Sequence, residues 1–146
     1  MSNRINIFKV EPAAYKALMG LEQYIDSSPL TKTHKELIKI RASQINGCAY
    51  CINMHTKDAL AHGESLQRIL TLSAWYDTTF FTPEEEAILA LTEEVTNITG
   101  RVSDETYNRA AQLFDEHYLA QIIVMITSIN AWNRISISTR LEPAKD

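Results

Sequence analysis

Cysteine is scarce in this chain of 146 residues: there are two, too few for a disulfide framework. Glycine and proline are also sparse, four of each, which excludes a loop-rich or low-complexity chain. Charge of one sign is missing as well. Lys and Arg number 14 against 18 Asp and Glu, scattered along the chain, for a formal charge of −4. Such a balance offers no basic surface to nucleic acid or to an anionic membrane. No apolar run approaches the roughly 20 residues of a membrane span. The opening MSNRINIFKVEPAAYKAL has neither an unbroken apolar stretch nor a small-residue cleavage site, so no secretory signal is expected. There is no GxGxxG fingerprint, and no flavin or nicotinamide cofactor is expected. These absences point to a cytoplasmic protein with a single domain over residues 1–146. Its 45% hydrophobic content suffices for a sizeable core.

What is present reads as helix almost throughout. Pro12 opens a first segment to about Asp26, and Ser27-Ser28-Pro29 breaks it. Thr33 and Glu36 have capping-box spacing ahead of Leu37, Ile38, Ile40 and Ile45, and Asn46-Gly47 closes that helix. The next runs from about Cys48 to Ala61, followed by Gly63. A short one carries Leu66, Ile69, Leu70 and Leu72. Thr82-Pro83-Glu84-Glu85 combines an N-cap, a first-position proline and first-turn acids, and the helix it starts extends to a stop at Gly100. Ser103-Asp104-Glu105 starts another, to about Glu116. The last runs from about Leu119 to Ser136, apolar on most sides, as a central helix would be. The expected fold is an all-α bundle of six or seven helices.

The two cysteines stand at Cys48 and Cys51, with His55 four residues on and Glu36 twelve residues before the first. On a helix, positions 48, 51 and 55 fall within an arc of about 60°. One face therefore carries two thiols and a base. A dithiol of this spacing in a cytosolic chain is catalytic or metal-binding rather than a structural staple. Without a βαβ pattern, it does not belong to a thioredoxin-like sheet.

A thiol of ordinary pKa ~8.5 is only about 3% ionised at pH 7, and the thiolate is the nucleophile. Two devices are expected to lower that pKa: the first turn of the helix and the His55 imidazole one turn away. Glu36 would fix the imidazole tautomer or relay its proton. A sulfenic acid formed on one cysteine would condense with the other to a disulfide and release water. The helix dipole favours Cys48 as the attacking thiol and the histidine favours Cys51. The balance goes to Cys51, because a positioned base can also protonate the leaving oxygen.

Simpler readings stand beside these. Cys48, Cys51, His55 and His62 are four possible zinc ligands. However, His62 lies about 16 Å along the axis from Cys51, too far for one ion, so no metal site is expected. Glu36 is also explained as a capping-box acid after Thr33. His34, His62 and His117 read as surface residues. Trp75, Phe80 and Phe81 read as core or interface. Asn130, Trp132, Asn133 and Arg134 are out of place on an apolar helix, and helix-end packing or a subunit contact is their default explanation.

The pattern Glu36-x11-Cys48-x2-Cys51-x3-His55 resembles the motif of the alkylhydroperoxidase D (AhpD)-like proteins of the carboxymuconolactone decarboxylase superfamily. Trp75-Tyr76, Phe81 to Ala87 and Ile129 to Arg134 resemble downstream segments of its short members, so the likeness spans about residues 10 to 140. The resemblance implies an all-α fold assembled into trimers or hexamers. It implies Cys51 as the peroxidatic cysteine, Cys48 as the resolving one, and His55 with Glu36 as a proton relay. One position departs from the pattern: Tyr50 stands where the family's peroxidases carry a relay histidine. A phenol of pKa ~10 cannot serve as a base near neutrality.

The expected activity is reduction of hydrogen peroxide or a small organic hydroperoxide, with electrons supplied by an external dithiol. By analogy with the family, that reductant is a lipoyl-bearing or thioredoxin-like protein. Two rivals are a lactone decarboxylase using His55 and Glu36 without the dithiol, and a non-enzymatic redox sensor or zinc-binding module.

Overall fold

A computed structural model describes residues 4–145. Among these residues there are eight α-helices and no strand. They are α1 (Ile7–Val10), α2 (Pro12–Ser27), α3 (Lys32–Asn46), α4 (Ala49–Ala61), α5 (Leu66–Thr71), α6 (Pro83–Thr96), α7 (Asp104–Leu113) and α8 (Glu116–Thr139). Two 3-10 turns, Leu72–Asp77 and Ile98–Gly100, follow α5 and α6. Seven of the helices correspond to the expected ones. The addition is α1, whose four residues are too few to show a 3.6-residue period. It forms because the Asn6 side chain caps it, accepting from the Lys9 N–H. No helix among the described residues is long and apolar enough to cross a membrane.

The start of α3 differs from expectation in a way that matters for the site. Its N-cap is Thr31, not Thr33, and the Thr31 hydroxyl accepts from the His34 N–H at 3.1 Å. Glu36 therefore lies beyond the capping positions and is free for another role. Farther along, Thr82 is the N-cap of α6 with Pro83 in its first position, as expected, and it also forms a reciprocal capping box with Glu85. That helix ends at Thr96 rather than Gly100.

Helix α3 is the hub, packed against α4, α6 and α8. Its Ile38 and Ala42 join the larger core with Ile88 and Leu91 of α6 and Ile122, Met125, Ile126 and Ile129 of α8. Its Leu37 and Ile40 join a second core with Ala59, Ile69, Leu72, Trp75, Phe81 and Leu89. Each such aliphatic side chain contributes about 1.5–3 kcal/mol on burial. Trp75 and Phe81 are thus core residues, whereas Phe80 is exposed. His34 is not a surface residue: it is half-buried, with Nδ1 2.6 Å from the Tyr118 hydroxyl. Burial holds its pKa below the usual value, against the opposing pull of Glu85 and Glu84. His62 and His117 are exposed, as expected.

Only Gly47 and Cys48 separate α3 from α4. Gly47 caps α3 in the left-handed conformation, φ 70°. An L side chain is strained there, and glycine makes the sharp corner accessible. The Cys48 N–H completes the corner by donating to the Ser43 carbonyl at 3.0 Å. Glu36 and the dithiol are thereby brought to one side of the bundle.

Candidate active site

Cys48 is the N-cap of α4 rather than its first residue. Its sulfur accepts from the Cys51 N–H at 3.4 Å and lies 2.6 Å from the Cys51 sulfur. Both are free thiols and both are buried. The cap geometry brings the two sulfurs into contact.

His55, one turn beyond Cys51, is buried with it. Its Nδ1 faces Glu36 Oε2 at 3.4 Å. That separation is longer than a well-formed hydrogen bond, and neither atom, both fully buried, has a hydrogen-bond partner. Lys39 Nζ lies 3.5 Å from the other Glu36 oxygen. Burial pushes the Glu36 carboxyl up, but His55 and Lys39 outweigh it and hold the pKa below the usual carboxylate value. Glu36 is thus a carboxylate beside an imidazole.

The Cys51 thiol departs from expectation in the opposite sense. Burial pushes its pKa up, as does the neighbouring Cys48 thiol; Asn133 and Ser136 pull the other way and do not prevail. The helix start and the imidazole do not depress it in the resting state. Two thiols held in contact inside an apolar wall share little solvation, and the charged form suffers most. Cys51 therefore rests as a thiol, and ionisation requires a proton acceptor at hand.

Cys51 and His55 open onto one cavity of about 560 Å³. Phe8, Tyr15, Met19, Met54, Ile129 and Trp132 line its apolar part. Tyr50, Lys39, Glu22, Asp26, Ser136 and Leu141 complete it. Trp132 packs against the starts of α1 and α2, in line with the helix-end packing expected, and it also walls the cavity. Its indole N–H donates to Glu22 Oε1 at 2.9 Å, and its ring meets those of Phe8 and Tyr15. The segment before α1 is anchored here too: Arg4 Nη1 donates to the Ser138 carbonyl at 2.7 Å.

The four expected site residues are thus gathered at one corner. Glu36 stands behind His55, away from the cavity that Cys51 and His55 line. His62 lines a different cavity, so the four-ligand zinc arrangement is not assembled. The group that could hold a metal is another one: Glu36, His55 and exposed Asp58 bring ligand atoms within 4.8 Å of one another. Asp58 and Lys39 were missed in the sequence, although each is three residues from a candidate, on the same helical face.

The carboxymuconolactone decarboxylase family model matches residues 12–94, which include all four of these residues. The chain is 46% identical to the uncharacterized protein YdfG of Bacillus subtilis (strain 168) over 139 residues, 94% of this chain and 95% of that one. Among solved structures it is similar to ATU0492 of Agrobacterium tumefaciens, a protein of unknown function and candidate antioxidant defence protein AhpD. There the TM-score is 0.96 and the identity 37%, with 100% of each chain covered. A peroxidase-related protein with an AhpD core from Ralstonia eutropha JMP134 shares the fold at TM-score 0.83 and 17% identity, covering 94% of this chain and 74% of its own. The dithiol corner, the all-helical bundle around it and a family match over more than half of the sequence together place this chain in the carboxymuconolactone decarboxylase family, among its AhpD-like members.

Proposed function

We propose that the chain is a thiol-dependent hydroperoxide reductase. The observation that carries this reading is the pair of sulfurs at 2.6 Å, one of which, that of Cys51, lines a largely apolar cavity together with His55. His55 takes the Cys51 proton, and the thiolate attacks the terminal oxygen of ROOH. The O–O bond breaks, the sulfur becomes a sulfenic acid, and the alkoxide leaves as ROH with the proton returned by His55. Cys48 then attacks the sulfenic sulfur, the disulfide forms, and water departs. Two electrons from an external dithiol, lipoyl-bearing or thioredoxin-like, restore the thiols by exchange. Glu36 holds the imidazole and balances its charge while it carries the proton.

A decarboxylase of the family's name would use His55 and Glu36 and leave the dithiol idle; the sulfur contact favours the redox reading. In this reading the whole chain acts as one AhpD-like domain in the cytoplasm. It assembles as a trimer or hexamer, which light scattering after size exclusion measures against the 16.6 kDa of one chain.

The test is a count of free thiols before and after one equivalent of tert-butyl hydroperoxide, with a metal assay on the same sample. Loss of two thiols per chain is expected, with the disulfide between Cys48 and Cys51. Cys48→Ser should let dimedone trap a sulfenic acid on Cys51. A trap that works only in Cys51→Ser reverses the two roles, and unchanged thiols refute the reductase reading.

A further inference from the structure

One polar residue of α8 reaches the dithiol, a second, one turn away, is bonded to Ser43 of the dithiol corner, and nothing in the steps above uses them. Ser136 is buried, with its Oγ 3.8 Å from the Cys51 sulfur. Asn133, one turn earlier on the same helix, has no exposed surface. Its amide orientation is fixed. Its Oδ1 accepts from Asn46 Nδ2 at 2.9 Å, and its Nδ2 donates to Ser43 Oγ at 3.0 Å. Ser43 is the residue whose carbonyl holds the Cys48 N–H. An amide nitrogen has two hydrogens, and Ser43 takes one, which leaves a second donor beside the dithiol corner.

We infer that Asn133 and Ser136 bind the sulfur of Cys51 as it ionises, forming a two-donor site for the thiolate supplied by the facing helix. The inference rests on Cys51 as the reactive sulfur. The two groups act differently. A hydroxyl both accepts and donates, so Ser136 takes the thiol proton's hydrogen bond at rest and turns to donate once the sulfur is charged. An amide N–H only donates, so Asn133 favours the charged form alone. Their effect on the resting thiol already has that sign: both favour ionisation against burial. Burial supplies the need, since a thiolate taken out of water without donors would be too costly to form. The other titratable groups facing the sulfur are Cys48, Tyr50 and His55, Lys39 of α3, and Glu22 and Asp26 of α2. Helix α8 adds none that titrates to the cavity wall.

The experiment is the pH profile of Cys51 alkylation by monobromobimane, in a reduced Cys48→Ser background. Rates rise to a plateau as the thiolate fraction rises, and the midpoint reports its pKa. Ser136→Ala should move the midpoint up by about half to one pH unit. Alkylation below the midpoint then slows roughly three- to tenfold, with the plateau unchanged. Ser136→Thr keeps the hydroxyl and should restore the profile. Asn133→Asp, near-isosteric, replaces the donor with a carboxylate and should slow alkylation below the midpoint by about tenfold or more. Circular dichroism melts establish folding. If Asn133→Asp does not fold, Asn46→Asp replaces it: an acceptor there turns the Asn133 amide round and withdraws its N–H, with the same upward shift. A folded Ser136→Ala with an unchanged midpoint overturns the role of Ser136, and a folded asparagine variant with an unchanged midpoint overturns that of Asn133. No peroxide enters the measurement. A chain that fails to reduce hydroperoxides yet shows these shifts loses the reductase reading and keeps this one.

Discussion

Two acid–base clusters meet at one small cavity, which Glu36 of the one lines together with Glu64, Arg68 and Glu85 of the other, and they are built on opposite rules. One centres on Arg68. Its guanidinium meets Glu64 at 2.8 Å and Glu85 at 2.7 Å, and it donates to the Phe80 carbonyl at 2.6 Å. It also stacks over the Phe81 ring at 4.7 Å. Glu85 in turn closes the capping box of α6. Burial pushes the Glu85 carboxyl up, but Arg68 and the Thr82 N–H outweigh it and hold it below the usual range. The other cluster is Glu36 and His55, whose facing atoms are buried at 3.4 Å and lack hydrogen bonds. A saturated cluster has nothing left to do but hold the fold. An unsaturated pair of imidazole and carboxylate keeps polar atoms free of fixed partners, and it sits one helical turn from the dithiol.

The comparison is broken most sharply by exchanging the damage. His55→Gln should slow peroxide-driven thiol loss by about 10²–10⁴-fold, the usual reach of general acid–base catalysis, and barely move the melting temperature. Stopped-flow thiol consumption reads the first effect and circular dichroism the second. A large loss of stability with intact rate would make His55 a structural residue and erase the distinction. Arg68→Ala should do the reverse. It strands two largely buried carboxylates, and urea denaturation should show a loss of about 3–5 kcal/mol with thiol chemistry retained in the folded fraction.

How much of this was legible in the sequence depends on how far each partner lies along the chain. Thr82 to Glu85 is a local signal, and it read correctly. The dithiol, His55 and Glu36 read correctly as neighbours because one helix and one short corner join them. Thr33 was misread as the cap of α3 because its spacing to Glu36 fits a capping box. The choice of Thr31 depends on a distant residue, for the Tyr118 hydroxyl accepts from the Thr31 N–H at 3.2 Å. His34 was misread for the same reason, since its partner is also Tyr118. Asn133 looked out of place but gave no sign of its role, because Ser43 and Asn46 are 90 and 87 residues away. The direction of the Cys51 shift was missed because burial, set by tertiary packing, outweighs the helix start that the sequence displays.

A third prediction uses pH to sharpen the contrast. Glu36 and Glu85 are both held below the ordinary 4.5. As pH falls, the unfolded chain takes up these protons first, so the stability they contribute is complete above about 4.5 and is lost below it. Urea midpoints measured from pH 6 down to 3 should fall less steeply in Glu85→Gln than in the parent chain. Cys51 has the opposite sign. Its pKa is raised from 9.0, so the unfolded chain releases that proton first as pH climbs, and stability should decline above about 9 unless Cys51 is replaced by serine.

The smallest effect concerns the helix start that frees Glu36 from capping. Thr31→Ala should cost about 1 kcal/mol, and Thr33→Ala no more than about half of that. Equal costs in thermal or urea denaturation would return Glu36 to a capping role.

The hydrogen bond from Arg4 to the Ser138 carbonyl has a practical consequence. It closes the beginning of the described chain onto the end of α8, and Phe8 and Leu141, from either side of that contact, both line the dithiol cavity. Loosening the segment before α1 therefore loosens the cavity wall from both directions at once, and Arg4→Ala should widen the access of a bulky thiol reagent to Cys51.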